Sequence, residues 1–228
     1  MRKWLSGRAS PCQGEGREFE SRLPLHLKPE SKDSGFFYLR KAGCFMNTLE
    51  AIHARKTIRS YKSQMVEREK LEAVVYAGNQ AAIAGKLEFV VISNREVLDA
   101  IQKEAKNFFR NSGIEKLVNL ASNPNYEVLH NAPAGIAVII DVTNDPHAMK
   151  MNAENTGCAV QNMLVAATEL GLGSCFAESA SVAFMGPNLK KAIGISEDKT
   201  VSAIVALGYS ENLTSAVKRS TSNITWCE

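Results

Sequence analysis

The sequence lacks the patterns that identify several large classes of enzyme. None of its five cysteines stands in Cys-x-x-Cys spacing and its four histidines are isolated, which argues against a metal site. No Gly-x-Ser-x-Gly is present, which argues against a serine hydrolase. Gly171 and Gly173 have no third glycine at the dinucleotide spacing, and this argues against a Rossmann nucleotide site.

Long apolar runs and a strong charge imbalance are also missing. The apolar stretch 134–140 is far shorter than the roughly 20 residues of a membrane-spanning helix, and no apolar core of a signal peptide follows Arg2 and Lys3. The net charge is +3, but residues 1–45 hold nine Lys or Arg against five Asp or Glu, and the remainder holds 18 against 19. We therefore expect a cytoplasmic protein with no membrane segment and no nucleic-acid partner.

The first 45 residues differ from the rest. Residues 1–45 show neither a helical nor a strand period, so we expect a disordered or spurious N-terminal extension before one domain at 46–228. Two origins fit this segment: a genuine extension, or a transfer-RNA gene read in frame. The second origin depends on codons for residues 17–22, which can contain GTTCGAGTC, the T-loop pattern of such genes. It would place the natural start at Met46.

Helical and strand patterns alternate after Met46. Asn47 with Glu50 has the spacing of a capping box and predicts a helix start. The spacing of apolar residues predicts two further helices, one from Glu67 and one over 94–109. It also predicts three strands, over 87–93, 134–141 and 200–207. This order predicts an α+β protein with a mixed sheet flanked by helices. Cys158 on an apolar helix and Cys175 in a strand are expected to be inert, buried thiols.

A group of cations follows the first helix. Arg55, Lys56, Thr57 and Arg59 place three positive charges and a hydroxyl within five residues, and Tyr61 follows. This set suits a dianionic group such as a phosphate. A second interpretation is that the cations only complement the negative end of the helix dipole.

The segment 155–175 carries the most specific motif. It reads as a long helix rich in small residues that stops at Gly171 and leads into a strand. Gly157, Ala159, Gln161 and Asn162, followed by the Leu-Gly-Leu-Gly run 170–173, resemble the central helix of FMN-dependent nitroreductases. The cationic segment likewise resembles the Arg-Arg-Ser-hydrophobic-Arg opening of that family. The resemblance covers roughly residues 46 to 226.

The resemblance implies a nitroreductase-like fold, an intertwined homodimer and an FMN site. In that family the flavin carries the chemistry, so no catalytic side chain is expected. Backbone N–H groups near the 173–179 segment would approach the flavin N5 edge. The residues expected to bind the cofactor are Arg55, Lys56, Thr57, Arg59, Gln80, Ala177, Glu178, Ser179, Lys218 and Arg219.

The function implied is an oxidoreductase in which NADH or NADPH reduces FMN and an electron-poor acceptor, such as a nitroaromatic or a quinone, reoxidises it. One family element is altered, because residues 78–88 lack the usual Gln-Pro-Trp. Enones and halogenated compounds therefore remain as alternative acceptors. A flavin-binding or sensing dimer without efficient turnover, and an interaction protein without a cofactor, remain as alternatives.

Overall fold

The computed structural model describes residues 46–213 and 224–227. The predictions for residues 1–45, and those for Lys218 and Arg219, lie outside these residues. In chain order the helices are α1 (Thr48–Ala54), α2 (Arg68–Asn79), α3 (Arg95–Arg110), α4 (Glu115–Ser122), α5 (Pro146–Glu169) and α6 (Pro187–Ala192). The strands are β1 (Glu88–Ile92), β2 (Ala134–Asp141), β3 (Gly173–Phe176) and β4 (Lys199–Gly208), and a 3₁₀ helix spans Glu178–Phe184.

The four strands form one sheet in the order β1-β2-β4-β3, and all three pairs are antiparallel. The register of β2 on β4 shifts between Val138 and Ile139, where the ladder is irregular. A single parallel bridge joins Thr57 to Ser174 at the edge strand β3, so the pairing is mixed only there. The α+β prediction is confirmed.

Each face of the sheet is covered by a separate apolar core. Side chains alternate along β2, so Ala137 and Ile139 enter a cluster with α3, while Ile136 and Val138 enter a cluster with α2 and α5. Because both faces are covered, β2 is buried from 134 to 139 and reads as a continuous apolar run in the sequence.

Most of the predicted helices and strands appear with small shifts at their ends. The capping box is confirmed, since the Asn47 side chain accepts from the Glu50 N–H at 3.0 Å and Glu50 accepts from the Asn47 N–H at 2.8 Å. The central helix α5 begins at Pro146, well before the motif at 155, because Asp145 caps it by accepting from two backbone N–H groups. The sequence patterns missed α4, α6 and the 3₁₀ helix, which are all short.

The two central thiols differ in environment. Cys175 is buried as predicted, and burial raises the pKa of its thiol. The prediction for Cys158 is wrong, because that side chain is exposed. The apolar face of α5 turns inward at Ala159 and Met163, and neighbouring positions on a helix point about 100° apart, which leaves Cys158 outside.

Two glycines let the chain segment after α1 approach the sheet. A Cβ on Gly173 would lie 2.9 Å from Ile58 Cγ2 and 3.1 Å from Ile58 Cβ. A Cβ on Gly208 would lie 2.6 Å from Pro133 Cδ and 3.0 Å from Tyr61 Cδ1. Neither the proline ring nor a branched Cβ can move aside easily, so any larger residue would push the segment away from β3 and β4.

Replacing Gly208 with Ser should therefore lower the free energy of unfolding by about 1–3 kcal/mol through overpacking. Denaturant unfolding of the variant measures this. Gly186→Ser is the matched control, because no atom lies within 4 Å of a Cβ there and Gly186 is the N-cap of α6, where serine is favoured. Equal stability of the two variants would show that the close approach at Gly208 is not a constraint.

Candidate functional site

The cationic segment is fixed to the sheet by its backbone. The Ile58 N–H donates to the Ser174 carbonyl at 2.9 Å, next to the bridge between Thr57 and Ser174. The Ile58 side chain is 4% exposed and packs on Gly173. An extended segment alternates its side chains, so burial of Ile58 turns those on either side of it outward, and Thr57 and Arg59 are both exposed.

Tyr61 closes the end of this segment. Its hydroxyl donates to the Ile58 carbonyl at 2.8 Å and lies 3.3 Å from the Ala206 carbonyl in β4. Burial raises the pKa of the phenol, with a smaller contribution from Cys175, so Tyr61 stays a neutral donor. The Lys62 N–H then donates to the Tyr209 carbonyl at 2.8 Å. The backbone from 57 to 62 is thus fixed between β3 and β4.

The cations at the start of the segment stand where an anion could be bound. Arg55 ends α1, its N–H donating to the Ala51 carbonyl at 2.9 Å, and Arg55 and Lys56 are half-buried. In the described part of the chain, the Ser174 hydroxyl beside Thr57 is the buried side-chain group with no hydrogen-bond partner. Guanidinium, ammonium and hydroxyl donors on a fixed backbone are a donor set that fits a phosphate.

Arg59 is the last of the four residues of the segment that were predicted to bind the cofactor. It lines a cleft of about 250 Å³ together with Tyr126, Glu127, His130 and Asn131. Tyr61 also lines this cleft, and both Tyr61 and Tyr126 pack against the apolar core that contains α3, so the cleft lies on that side of the sheet.

Three residues predicted to bind the cofactor, Ala177, Glu178 and Ser179, lie where β3 ends and the 3₁₀ helix begins. Ala177 is buried, and its N–H donates to the Ile204 carbonyl at 2.8 Å, which ends the pairing with β4. Glu178 is exposed, and it begins the 3₁₀ helix with the half-buried Ser179 next to it. The first N–H groups of a helix have no partner within the helix, so these two can donate to a ligand.

Gln80 ends α2 and is exposed. The loop that follows it is held by the central helix, because Asn155 donates to the Ala84 carbonyl at 2.7 Å and accepts from the Ala84 N–H at 3.2 Å. Asn162, two turns further on, donates to the Ala77 carbonyl at 3.2 Å. The loop and α5 enclose an open groove of about 540 Å³, lined by Ala81, Ala82, Glu154, Gly157, Cys158, Gln161 and Asn162.

Three residues of this region were missed by the sequence interpretation. Asn155 is 9% exposed and Ser174 is 1% exposed. A polar residue inside an apolar helix stripe or strand is a signal of a special role, because burying an unpaired polar group costs free energy; Asn155 bonds to Ala84, whereas the Ser174 hydroxyl is unpaired. His130 carries no such signal in the sequence, because only the backbone conformation of its turn places it beside Arg59.

Neither a metal-binding group of side chains nor a membrane-spanning helix occurs in the described residues. No group of three or more His, Cys, Asp or Glu within 46–213 and 224–227 could hold a metal ion. Over the same ranges, none of the helices combines the length and the apolar character needed to cross a membrane.

The family model and the relatives that match this sequence indicate the same protein family. The model of the nitroreductase family matches residues 52–209. A protein of Archaeoglobus fulgidus, provisionally named an NADH dehydrogenase/NAD(P)H nitroreductase, is 28% identical over 164 residues, which are 71% of this chain and 84% of that protein. Both the cationic segment from Arg55 and the motif of α5 lie inside the matched range.

Solved structures share the fold. A nitroreductase of Bacteroides fragilis with bound FMN superposes with a TM-score of 0.70 at 26% identity, covering 80% of this chain and all of that one. A nitroreductase of Desulfitobacterium hafniense with bound FMN gives a TM-score of 0.71 at 24% identity over the same shares. The family match over most of the chain, with these relatives, shows that the chain belongs to the nitroreductase family.

Proposed function

We propose that this protein is an FMN-dependent oxidoreductase that passes electrons from NADH or NADPH to an electron-poor acceptor. The observation that carries the proposal is the position of Arg55 and Lys56 directly before backbone that is fixed to β3. The bridge at Thr57, the Ile58 hydrogen bond and the packing of Ile58 on Gly173 fix it there. The FMN bound by the Bacteroides fragilis relative supports it.

The phosphate of FMN would be held at the start of the segment. Arg55 and Lys56 supply positive charge and Thr57 a hydroxyl, and each charge-assisted hydrogen bond contributes about 1.5–3 kcal/mol. The backbone is fixed before the ligand arrives, so less conformational entropy is lost on binding. The resemblance adds Lys218, Arg219 and Arg59 to this set, and Gln80 at the ring.

The ring of FMN would lie toward the end of β3. FMN bound there would supply the redox chemistry, a ping-pong transfer of hydride from NAD(P)H to the acceptor. The chain's own part is to bind and orient. Backbone N–H groups near Ala177, Glu178 and Ser179 would stabilise negative charge at the ring, and Glu178 is proposed as a backbone contact rather than a side-chain catalyst.

The acceptor is proposed to be a nitroaromatic or a quinone. The segment 78–88 differs from the family pattern, and its residues Ala81 and Ala82 line the groove beside α5, so enone and halogenated acceptors are the second candidates. A sensing dimer without efficient turnover would hold FMN that NAD(P)H reduces but that no acceptor of these classes reoxidises rapidly.

We also propose a homodimer that packs through α5 and α1. Gly157 lies inside α5, where glycine costs about 1 kcal/mol relative to alanine. Among the described residues, nothing outside the adjacent backbone of α5 lies within 4 Å of a Cβ there. A helix face without a side chain permits a second backbone to approach closely. Leu49 and Ile52 on the adjoining α1 are exposed, at 77% and 49%, and would be covered in the dimer.

Arg55→Ala tests the phosphate site. The variant should lose FMN on desalting, because a charge-assisted contact is removed, and its affinity should fall roughly ten- to a hundredfold. Visible absorption after incubation with FMN and desalting measures retention. Lys62→Ala is the matched control, since Lys62 lies on the same segment but pairs with Glu211 at 3.3 Å on the surface. Full flavin occupancy in Arg55→Ala would discredit the assignment.

Gly157→Leu tests the dimer. The chain itself has room for the side chain, so the variant should fold, but the partner helix could not approach, and light scattering should give the monomer mass of 24.9 kDa instead of twice that value. Lys103→Leu on the exposed face of α3 is the control and should remain dimeric. A dimer that survives Gly157→Leu would exclude α5 as the interface at this position.

Asn155→Ala tests the loop. Removing the amide leaves both backbone groups of Ala84 without their partner, which should cost about 1–3 kcal/mol of stability and speed hydrogen exchange in residues 80–86. Asn162→Ala, which removes a single exposed bond, should have a smaller effect. If the loop sets acceptor preference, kcat/KM ratios between acceptors change in Asn155→Ala. Unchanged exchange in 80–86 would show that Asn155 does not hold the loop.

A further inference from the structure

We propose that the cleft between α3 and the start of α6 binds a small organic cation, an ammonium or guanidinium group on a short alkyl chain. The cleft has a volume of about 290 Å³. One wall is formed by Glu104, Asn107, Phe108 and Asn111 of α3, and the other by the end of the 3₁₀ helix and the first residues of α6. None of these residues belongs to the FMN site proposed above.

The wall on α3 is a single face of the helix. Positions 104, 107, 108 and 111 follow the i, i+3, i+4, i+7 spacing, which puts their side chains in one row along the helix. The neighbouring row, one position further along the chain, contains Ala105 and Phe109, and both are buried in the core. Phe108 therefore lies at the edge of the core and remains 39% exposed.

The opposite wall is anchored in the same core as α3. Ala183 and Leu189 line the cleft and are buried in the cluster that contains Phe109. The Met185 N–H donates to the Val182 carbonyl at 3.2 Å, which closes the last turn of the 3₁₀ helix. Because both walls are packed on one core, the cleft is formed before a ligand arrives, and less conformational entropy is lost on binding.

The lining of the cleft carries one negative charge and no positive charge among the described residues that form it. Glu104 supplies the carboxylate and forms no ion pair with a described residue, whereas Asp99 on the same helix is paired with Arg95. The Asn111 side-chain N–H donates to the Asn107 carbonyl at 3.0 Å, so the Asn111 amide oxygen stays available as an acceptor.

The nearest cation in the sequence does not line the cleft. Arg110 lies outside the lining and donates to the Asn107 side-chain oxygen at 3.2 Å. Asn188, on the opposite wall, adds a second amide oxygen beside that of Asn111. A carboxylate and amide oxygens are acceptors for the N–H groups of a cation, and an anion would be repelled by Glu104.

An aromatic ring and a thioether stand beside the carboxylate. Phe108 follows Glu104 by four residues, so their Cβ atoms are about 6 Å apart on the helix surface, and one cation can contact both side chains. Met185 is 69% exposed at the opposite wall and offers a flexible apolar surface to methylene groups. The volume lies just below the usual range of about 300–1,000 Å³ for ligand pockets, so a short alkyl chain fits.

The test is a titration of the full, FMN-incubated chain with n-butylammonium chloride, followed by NMR of methionine methyl groups. The Met185 signal is assigned from its loss in Met185→Leu. We expect a saturable shift of this signal, and about tenfold tighter binding than that of butan-1-ol, which has the same chain without the charge. Sodium chloride at the same ionic strength is the control for screening. Equal affinities for the amine and the alcohol, or no saturable shift, would overturn the proposal.

Variants of exposed residues separate the contributions of charge and ring. Glu104→Gln keeps the shape of the side chain and should lower the affinity for n-butylammonium about tenfold while leaving that for butan-1-ol unchanged. Phe108→Leu keeps an apolar side chain without the ring, and the affinity for n-butylammonium should fall about threefold. Glu96→Gln is the matched control, because it removes the same charge from an exposed position about two turns away on α3. Unchanged affinity in Glu104→Gln, or an equal fall in Glu96→Gln, would contradict the assignment.

The cationic group is identified by comparing n-butylammonium with n-propylguanidinium, since tighter binding of one assigns the site to ammonium or guanidinium groups. Flavin content is measured by absorption in the same samples. A chain that fails to retain FMN but shows the saturable Met185 shift would contradict the proposed function and leave the cation site in place. A chain that retains FMN and shows no such shift would contradict the cation site alone.

Discussion

The arrangement of the site depends on the attachment of the segment 57–62 to the edge of the sheet. Backbone hydrogen bonds from Ile58 to Ser174 and from Lys62 to Tyr209, the bond of the Tyr61 hydroxyl to the Ala206 carbonyl, and the close packing permitted by Gly173 and Gly208 fix this segment. It directly follows Arg55 and Lys56, so it limits where these two cations can lie. Positive charges held on a fixed backbone bind an anion without first being ordered, which is why this segment suits a phosphate. Alternation along the same segment buries Ile58 and leaves Thr57 and Arg59 exposed.

The central helix α5 has a similar double role. Its inner face, with Ala159 and Met163, is part of the core against the sheet, while Asn155 orders the loop that lines the outer groove. Its outer face is unusually bare at Gly157 and leaves Cys158 exposed. Glycine inside a helix is costly, and within the described residues Gly157 gains no packing, an observation that supports the proposed homodimer.

Much of the fold could be predicted from the sequence because periodic signals identify long elements. The buried strand β2 and the capping box at Asn47 were predicted at the correct positions, and the family motif on α5 gave the fold class. Short elements such as α4 and α6 were missed, since six to eight residues carry too little periodicity. The exposure of Cys158 depends on which side of α5 meets the sheet.

The most direct test of the central claim is a comparison of FMN with riboflavin, which has the same ring and no phosphate, by fluorescence titration of the full chain. If Arg55, Lys56 and Thr57 hold the phosphate, FMN should bind at least about a hundredfold more tightly than riboflavin, because two charge-assisted contacts of about 1.5 kcal/mol each correspond to that ratio. Equal affinities would contradict the account, since the attached cationic segment would then contribute nothing to flavin binding.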